Sequence, residues 1–435
     1  MNYSALSLAQ TPPLTVPLKF MLTAPFFAAL AALILLMNPE ALANRWTPAM
    51  LAATHLLTLG FITMVMLGAL QQLFPVLFGV NLTRPVLTSW LIYSGFVFGT
   101  LILSTGFLTM QSEFLSVGAI LIGVVLFFTI LYFAWSLLRS SAARPTAGLR
   151  LALLSFMLTI VLGLFLTAGY TSQAISLNRS LTLYHIGWGL LGWVSILIFT
   201  VSYQTVPMFQ VTPKYPEMVV RFLTPSVFML LLLISLAELI SAPLLVTSVL
   251  EILLAALFIL YAFITLRLQA SRQRKVADVT LDYWRFGLFC LVLTVVLILI
   301  FEFTDLVFSG YDLLVGILMI IGFIQSVING MLYKIIPFLV WLHLTNAIDM
   351  KQRWQMRIPN MKKIVTDKNA RNQYRLFVAS VVMLLASLVL DELIRLAAIF
   401  MIASNLFLAL NLVRGVSVYY RTVRQFDELE AMSGN

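Results

Sequence analysis

Two histidines inside strongly apolar segments are the residues of this chain best suited to chemistry. The sequence contains three histidines, and His55 and His185 each begin a long apolar run. An imidazole is costly in such surroundings unless it is hydrogen-bonded or liganded, and histidine is the commonest metal ligand in proteins. The two residues are therefore candidate metal ligands. The alternative is that each forms a hydrogen bond across a helix interface.

Both histidines stand near the start of a pattern that occurs three times, in segments 55–77, 185–209 and 315–339. The segments align on their prolines, which are Pro75, Pro207 and Pro337. Fifteen residues earlier each has a glycine followed by an aromatic residue: Gly60 and Phe61, Gly192 and Trp193, Gly322 and Phe323. A small residue lies seven before each proline and a long polar one three before it: Gly68, Thr200 and Gly330; Gln72, Gln204 and Lys334. This spacing predicts three repeats, approximately 16–147, 148–275 and 276–420.

The composition excludes a soluble protein. Mean hydropathy is +1.01, 61% of the residues are hydrophobic and 10% are charged. Segments of about 20 apolar residues span a bilayer as helices. Twelve spans are predicted, at approximately 17–37, 49–79, 86–109, 114–138, 149–172, 181–209, 222–241, 243–266, 284–305, 311–342, 376–394 and 396–418.

The repeats and spans together predict an all-α polytopic membrane protein that forms a single membrane domain over residues 1–435. Twelve helices would form three parallel four-helix repeats with pseudo-threefold symmetry about the membrane normal. The second helix of each repeat carries the pattern, and we call these three the marked helices.

The basic residues indicate the orientation. The net charge is +10, but most lysines and arginines lie after even-numbered helices and in the C-terminal tail. Loops after odd-numbered helices carry only Arg45, Arg179 and Arg395. This asymmetry predicts cytoplasmic N- and C-termini in a bacterial-type inner membrane, with His55 and His185 near the outer surface. The expected partner is the lipid bilayer and not nucleic acid. Residues 1–15 lack the features of a cleavable signal peptide.

The spacing of the two histidines from their prolines differs. His55 precedes its proline by 20 residues and His185 by 22, which rotates one side chain by about 200° relative to the other. We therefore expect the two imidazoles to face different cavities and not to share one metal.

Several other polar or small residues have two interpretations each. Gly60, Gly192 and Gly322 suit either close helix contacts or the approach of a flat ligand. The long polar residues three before the prolines could hydrogen-bond carbonyls freed by the proline kinks, or could line an ion or proton path. We interpret His343 as interfacial and Cys290 as packing. Glu302 and Asp305 are weak candidates for a metal or proton site. The basic segment 343–375 is expected to lie on anionic lipid.

The marked helices resemble those of the heme–copper oxidase subunit I superfamily. The resemblance rests on Tyr184-His185, Gly192-Trp193 and Tyr203…Pro207 in the sixth helix, and on Gly330-Met331-Leu332-Tyr333…Pro337 in the tenth. Twelve helices in three arcs of four is the fold of that superfamily. The resemblance implies that His55 is a ligand of a low-spin heme and that His185 faces a copper site.

Departures from the family pattern limit that inference. The family has His-x-His in helix 10, where this chain has Val315 and Ile317, and adjacent histidines in helix 7, where residues 222–241 contain none. The chain therefore lacks the ligands of an oxygen-reducing or proton-pumping oxidase. The nitric-oxide-associated NnrS-like membrane proteins are the nearest functional analogy, at the level of fold.

The sequence therefore leads to one main hypothesis and two alternatives. The main hypothesis is a heme-binding, possibly copper-binding, inner-membrane protein that acts in nitric oxide or metal stress. The alternatives are a small-molecule transporter or permease without a cofactor, and an assembly subunit that binds respiratory-chain or stress-response membrane proteins.

Overall fold

The chain is a multi-pass helical membrane protein. A computed structural model describes residues 11–139, 146–172, 176–273, 276–304, 306–347 and 358–433. Within them, eleven helices are long and apolar enough to cross a membrane, and no strand occurs. Parts of the predicted basic loops (Arg144, Arg274, Lys275 and residues 348–357) lie outside the described residues, as does Asp305.

We number the long helices α1 to α12 in chain order. Their bounds are α1 Thr15–Met37, α3 Pro85–Thr109, α4 Ser112–Arg139, α5 Ala147–Thr171, α7 Glu217–Leu239, α8 Leu244–Ala270, α9 Val279–Phe303, α11 Asp367–Ala386 and α12 Leu393–Ser433. The marked helices are α2, which covers Pro48–His55, Leu56–Thr63 and Met64–Phe78; α6, which covers Leu181–Ile186, Gly187–Ser195 and Ile196–Gln210; and α10, which covers Tyr311–Gly316, Ile317–Gln325 and Ser326–Ala347.

The eleventh helix differs from its prediction. The predicted span 376–394 runs across residues 387–392, which form a turn. Helix α11 itself begins nine residues before the predicted start, at the polar residue Asp367. Acidic Asp391 and Glu392 lie at this turn and separate the two apolar segments. Because its first half is polar, α11 is not among the eleven helices that satisfy the criteria of length and apolarity.

Each marked helix contains a π-helical segment in its middle. These segments are Leu56–Thr63, Gly187–Ser195 and Ile317–Gln325, and each ends twelve residues before the proline of its helix. In a π-helix the backbone hydrogen bonds run from residue i to i+5, and such segments are rare and usually short. The repeated sequence pattern therefore coincides with a repeated local conformation.

The glycine of each π segment lies against the preceding helix. A Cβ atom on Gly60 would be 2.6 Å from the Cβ of Phe27 in α1. On Gly192 it would be 2.8 Å from the Cβ of Ser155 in α5, and on Gly322 it would be 2.9 Å from the Cβ of Cys290 in α9. No side chain fits at these points, so the glycines permit the first two helices of each predicted repeat to touch.

The marked helices form the interior of the bundle. In α2, α6 and α10, between 67% and 78% of the residues in the apolar 18-residue stretch of each helix are buried. In α3, α4, α5, α7, α8 and α9 the corresponding share is 22% to 44%. Helix α1 packs against α12, so the first and last helices are neighbours. This arrangement leaves the remaining helices to face the lipid.

Residues from three separate loops or helix ends meet at the end of the bundle that carries His55 and His185. Arg45 Nη1 lies 3.1 Å from Asp312 Oδ1 at the start of α10. The guanidinium groups of Arg45 and Arg179 lie 4.7 and 4.9 Å from the ring centre of Trp46. The loop after α1, the loop before α6 and the start of α10 therefore share one end of the bundle.

Replacement of Gly60 by alanine is expected to destabilise the protein. The new Cβ would overlap the base of the Phe27 side chain, which cannot move without shifting α1. We expect a loss of about 1–3 kcal/mol, which is typical of overpacking, measured as a lower thermal unfolding midpoint in detergent.

Gly316→Ala is the matched control, since a Cβ at Gly316 has nothing within 4 Å. This change should leave the midpoint unchanged or raise it, because alanine favours helix over glycine. Equal effects of the two substitutions would contradict the contact with Phe27.

Candidate metal centre

His55 is the last residue before the π segment of α2. Its Nδ1 lies 2.8 Å from the carbonyl oxygen of Leu51, one turn earlier in the same helix. A carbonyl oxygen only accepts hydrogen bonds, so Nδ1 carries the proton and donates it. In the neutral ring Nε2 then carries a lone pair, which is the form that binds metals.

His185 is held in the same way, but by another helix. Its Nδ1 donates to the carbonyl oxygen of Thr159 in α5 over 3.0 Å. Gly163, one turn further along α5, provides space for the ring, because a Cβ there would lie 2.9 Å from His185 Cε1. The Nε2 atom of this imidazole is also left with its lone pair.

The two imidazoles lie side by side. Their ring centres are 6.5 Å apart and their planes differ by 26°. The Phe107 ring of α3 stacks on His55, with ring centres 4.6 Å apart. The expectation that the histidines face different cavities is therefore wrong.

The predicted rotation of about 200° between the two histidines was calculated for uninterrupted α-helices. A π segment lies between each histidine and its proline, and its residues do not follow the α-helical rotation. The difference in spacing therefore does not keep the two rings apart.

Two neighbouring imidazoles, each with Nδ1 bound to a carbonyl oxygen and a lone pair on Nε2, are the candidate ligands of one metal. A heme iron takes at most two axial ligands from the protein, whereas a structural zinc ion takes four ligands. The described part of the chain has no group of three or more His, Cys, Asp or Glu side chains that could hold an ion. Imidazole is a ligand type that both heme iron and copper accept.

Other predicted site residues lie elsewhere. Gly60, Gly192 and Gly322 contact neighbouring helices, which supports the first of their two interpretations. Glu302 is exposed at the end of α9. His343 lies between two carbonyl oxygens, with Nδ1 2.9 Å from Leu339 O and Nε2 3.0 Å from Pro12 O. Cys290 is buried against Gly322, as its packing role predicts.

The long polar residues near the prolines do not share one role. Lys334 forms an ion pair with Asp278, with Nζ 2.6 Å from Oδ2, instead of bonding a freed carbonyl. Gln72 is 4% exposed, and neither of its amide atoms has a hydrogen-bond partner among the described residues. Gln204 is half-buried in α6.

A buried polar network, which the sequence analysis missed, joins α9, α10, α11 and α12. The Gln373 amide oxygen accepts hydrogen bonds from Tyr283 and Tyr333, the latter over 3.2 Å, and its Nε2 donates to Ser404 Oγ over 3.0 Å. Asn411 Nδ2 donates to the Tyr333 hydroxyl over 3.0 Å. Ser404 and Asn411 within the predicted span 396–418, with Gln373 just before the predicted span 376–394, were the signal that could have revealed it.

A second polar contact lies deeper along α10. Gln325 Nε2 donates to Asn405 Oδ1 over 3.0 Å, and both residues are fully buried. Gln325 is the last residue of the π segment. Together with the network around Gln373 and the ion pair of Lys334, it places polar groups along much of the inward side of α10.

Comparison with known proteins adds no relative. No protein-family model matches the chain, and no curated protein sequence matches it. The class of protein, a helical multi-pass membrane protein, therefore rests on the sequence and the structure alone.

Replacement of Gln373 by leucine should destabilise the bundle. Leucine leaves the hydroxyls of Tyr283 and Tyr333 without their shared acceptor in a buried setting. An unsatisfied buried polar group costs about 1–3 kcal/mol, so the thermal unfolding midpoint should fall clearly.

Ser380→Ala is the control for this prediction, since the Ser380 hydroxyl bonds only the Phe377 carbonyl of its own helix. It should change the midpoint much less than Gln373→Leu. Similar midpoints for both variants would show that the network around Gln373 does not contribute to stability.

Proposed function

We propose that this chain is a heme-binding inner-membrane protein on a degenerate heme–copper oxidase scaffold, with His55 and His185 as the two ligands of one centre. The observation that supports the proposal most is the convergence of the two imidazoles, each with Nδ1 fixed by a backbone carbonyl and Nε2 free. In a variant of this proposal, the same two histidines bind a copper ion instead of a heme.

The protein's own groups would fix the geometry of the centre. The Leu51 and Thr159 carbonyls hold the tautomer in which Nε2 faces the metal. Phe107 covers one face of the His55 ring, and Gly163 leaves room for His185. When bound, a heme would supply one-electron redox chemistry.

The use of both imidazoles argues against oxygen reduction. If His55 and His185 both held the iron, the protein would occupy the positions at which a substrate could bind. The ligand positions of a conventional oxidase in α10 are occupied by Val315 and Ile317. A redox or sensing role in nitric oxide or metal stress agrees better with such a site. We keep the pseudo-threefold arrangement and the cytoplasmic termini as part of the proposal.

The test is the optical spectrum and metal content of the protein purified in mild detergent from cells supplied with heme and copper. We expect a heme band, or stoichiometric copper, that is lost in His55→Ala and equally in His185→Ala. Both losses are expected because the two residues would serve one centre.

His343→Ala is the matched control, since that imidazole bonds Leu339 and Pro12 far along α10 from the paired site, and it should retain the wild-type spectrum. A colourless wild-type protein without metal, also after incubation with hemin or a cuprous salt, would refute the proposal. Loss of the centre in only one of the two histidine variants would refute the shared site.

The permease hypothesis also has a supporting observation, the polar groups along α10 from Gln325 to Lys334. A transporter would show substrate-dependent uptake in proteoliposomes that Gln325→Leu reduces and His55→Ala leaves unchanged. A loss of uptake in His55→Ala would instead connect transport to the paired imidazoles.

A further inference from the structure

The three marked helices enclose a cavity that is separate from the histidine pair. Its volume is about 110 Å³, and its lining is almost wholly apolar. Residues ten, nine, six and two before the proline and one after it line the cavity in α2, α6 and α10 alike. The cavity therefore lies between matching faces of the three helices, near the prolines, whereas the histidines lie at the opposite end.

The lining gives the cavity an adaptable wall. Met66, Met208 and Met331 each contribute, one from every marked helix. Methionine side chains are flexible and polarisable, and they are common at surfaces that accept varied apolar groups. An apolar cavity of about 150 Å³ in another protein stays free of water and binds benzene or xenon. A space of 110 Å³ is therefore suited to a ligand with a body of about that size.

Two polar groups at the wall lack partners. Gln72 lines the cavity, is 4% exposed, and has no hydrogen-bond partner for Oε1 or Nε2 among the described residues. The indole N–H of Trp284, which also lines the cavity, has none either. A buried amide without partners is costly, so a ligand that pairs with it gains affinity from groups already desolvated.

From this combination we infer that the cavity is a binding site for a small, uncharged, mainly apolar molecule that carries a hydroxyl group. The apolar body would fill the space between the three helices. Gln72 and Trp284 line the cavity mainly with carbon atoms, and their polar atoms lie just behind this lining. After a rotation of the Gln72 side chain, the hydroxyl would donate to Oε1 and accept from Nε2 or from the Trp284 indole. Charged ligands are excluded, because no ionised side chain lines the cavity.

Phenol and benzene are the probes that test this inference, because they share a ring and differ in the hydroxyl. Each is titrated into the purified full-length protein in mild detergent, and thermal unfolding is followed by tryptophan fluorescence. We expect both to raise the midpoint saturably, with half-saturation about tenfold lower for phenol, as one added hydrogen bond to a buried group predicts.

Three variants separate the site from general effects of the probes on the micelle. Ala69→Phe places a ring in the cavity and should abolish both shifts. Gln72→Leu should keep the shift with benzene and lose the preference for phenol. Val124→Phe, on the lipid-facing side of α4 with 63% exposure, should behave as the wild type. If Ala69→Phe lacks a cooperative transition, Ala69→Leu replaces it.

Three results would overturn the inference: no saturable shift in the wild type, unchanged shifts when Ala69 is enlarged, or an unchanged preference for phenol in Gln72→Leu. The outcome does not depend on the metal proposal, since the histidine variants leave the cavity lining intact. A protein that binds phenol but no heme would support this site and refute the other.

Discussion

The close approach of each marked helix to its predecessor is the constraint on which the rest of the structure depends. Inside the bilayer the hydrophobic effect does not favour helix–helix contacts over helix–lipid contacts, because lipid tails are as apolar as the side chains. Helix association therefore depends on close packing and on polar contacts. Gly60, Gly192 and Gly322 permit backbone approach to α1, α5 and α9. Because each glycine lies in a π segment, the same residues determine the packing distance and the position at which the helix changes its rotation. The orientation of the histidines and the shape of the cavity follow from these two quantities.

Much of the architecture could be predicted from the sequence because its signals are local and repeated. Apolar length predicted eleven of the membrane helices, and the glycine–proline spacing singled out α2, α6 and α10, each of which contains a π segment. The eleventh span was misplaced, since hydropathy alone does not distinguish the polar first half of α11 from a loop. The structure places the Asp391 and Glu392 turn between α11 and α12, where the sequence analysis had continued a helix.

The site was harder to predict because it depends on how helices face one another. The choice of His55 and His185 required only residue type and burial, whereas the rotational difference between them was calculated without the π segments. To predict that their ring centres lie 6.5 Å apart, one must know which helices are neighbours. The sequence pattern alone gives no distance between residues of different helices. The network around Gln373 was missed for a similar reason, since its members come from four helices and no single segment shows them together.

The π segments have a further consequence for how this chain tolerates changes in length. The backbone hydrogen bonds of each π segment span five residues, one more than those of the α-helix on either side. Each π segment therefore contains more residues per turn than the α-helix around it. Loss of one residue there would tighten the turn toward α-helical geometry while the proline end stayed in place. The part of α2 or α6 beyond the segment would then rotate as a unit and turn its imidazole away from the opposite ring. Residue number in these short stretches, as much as residue identity, therefore determines whether the two rings meet.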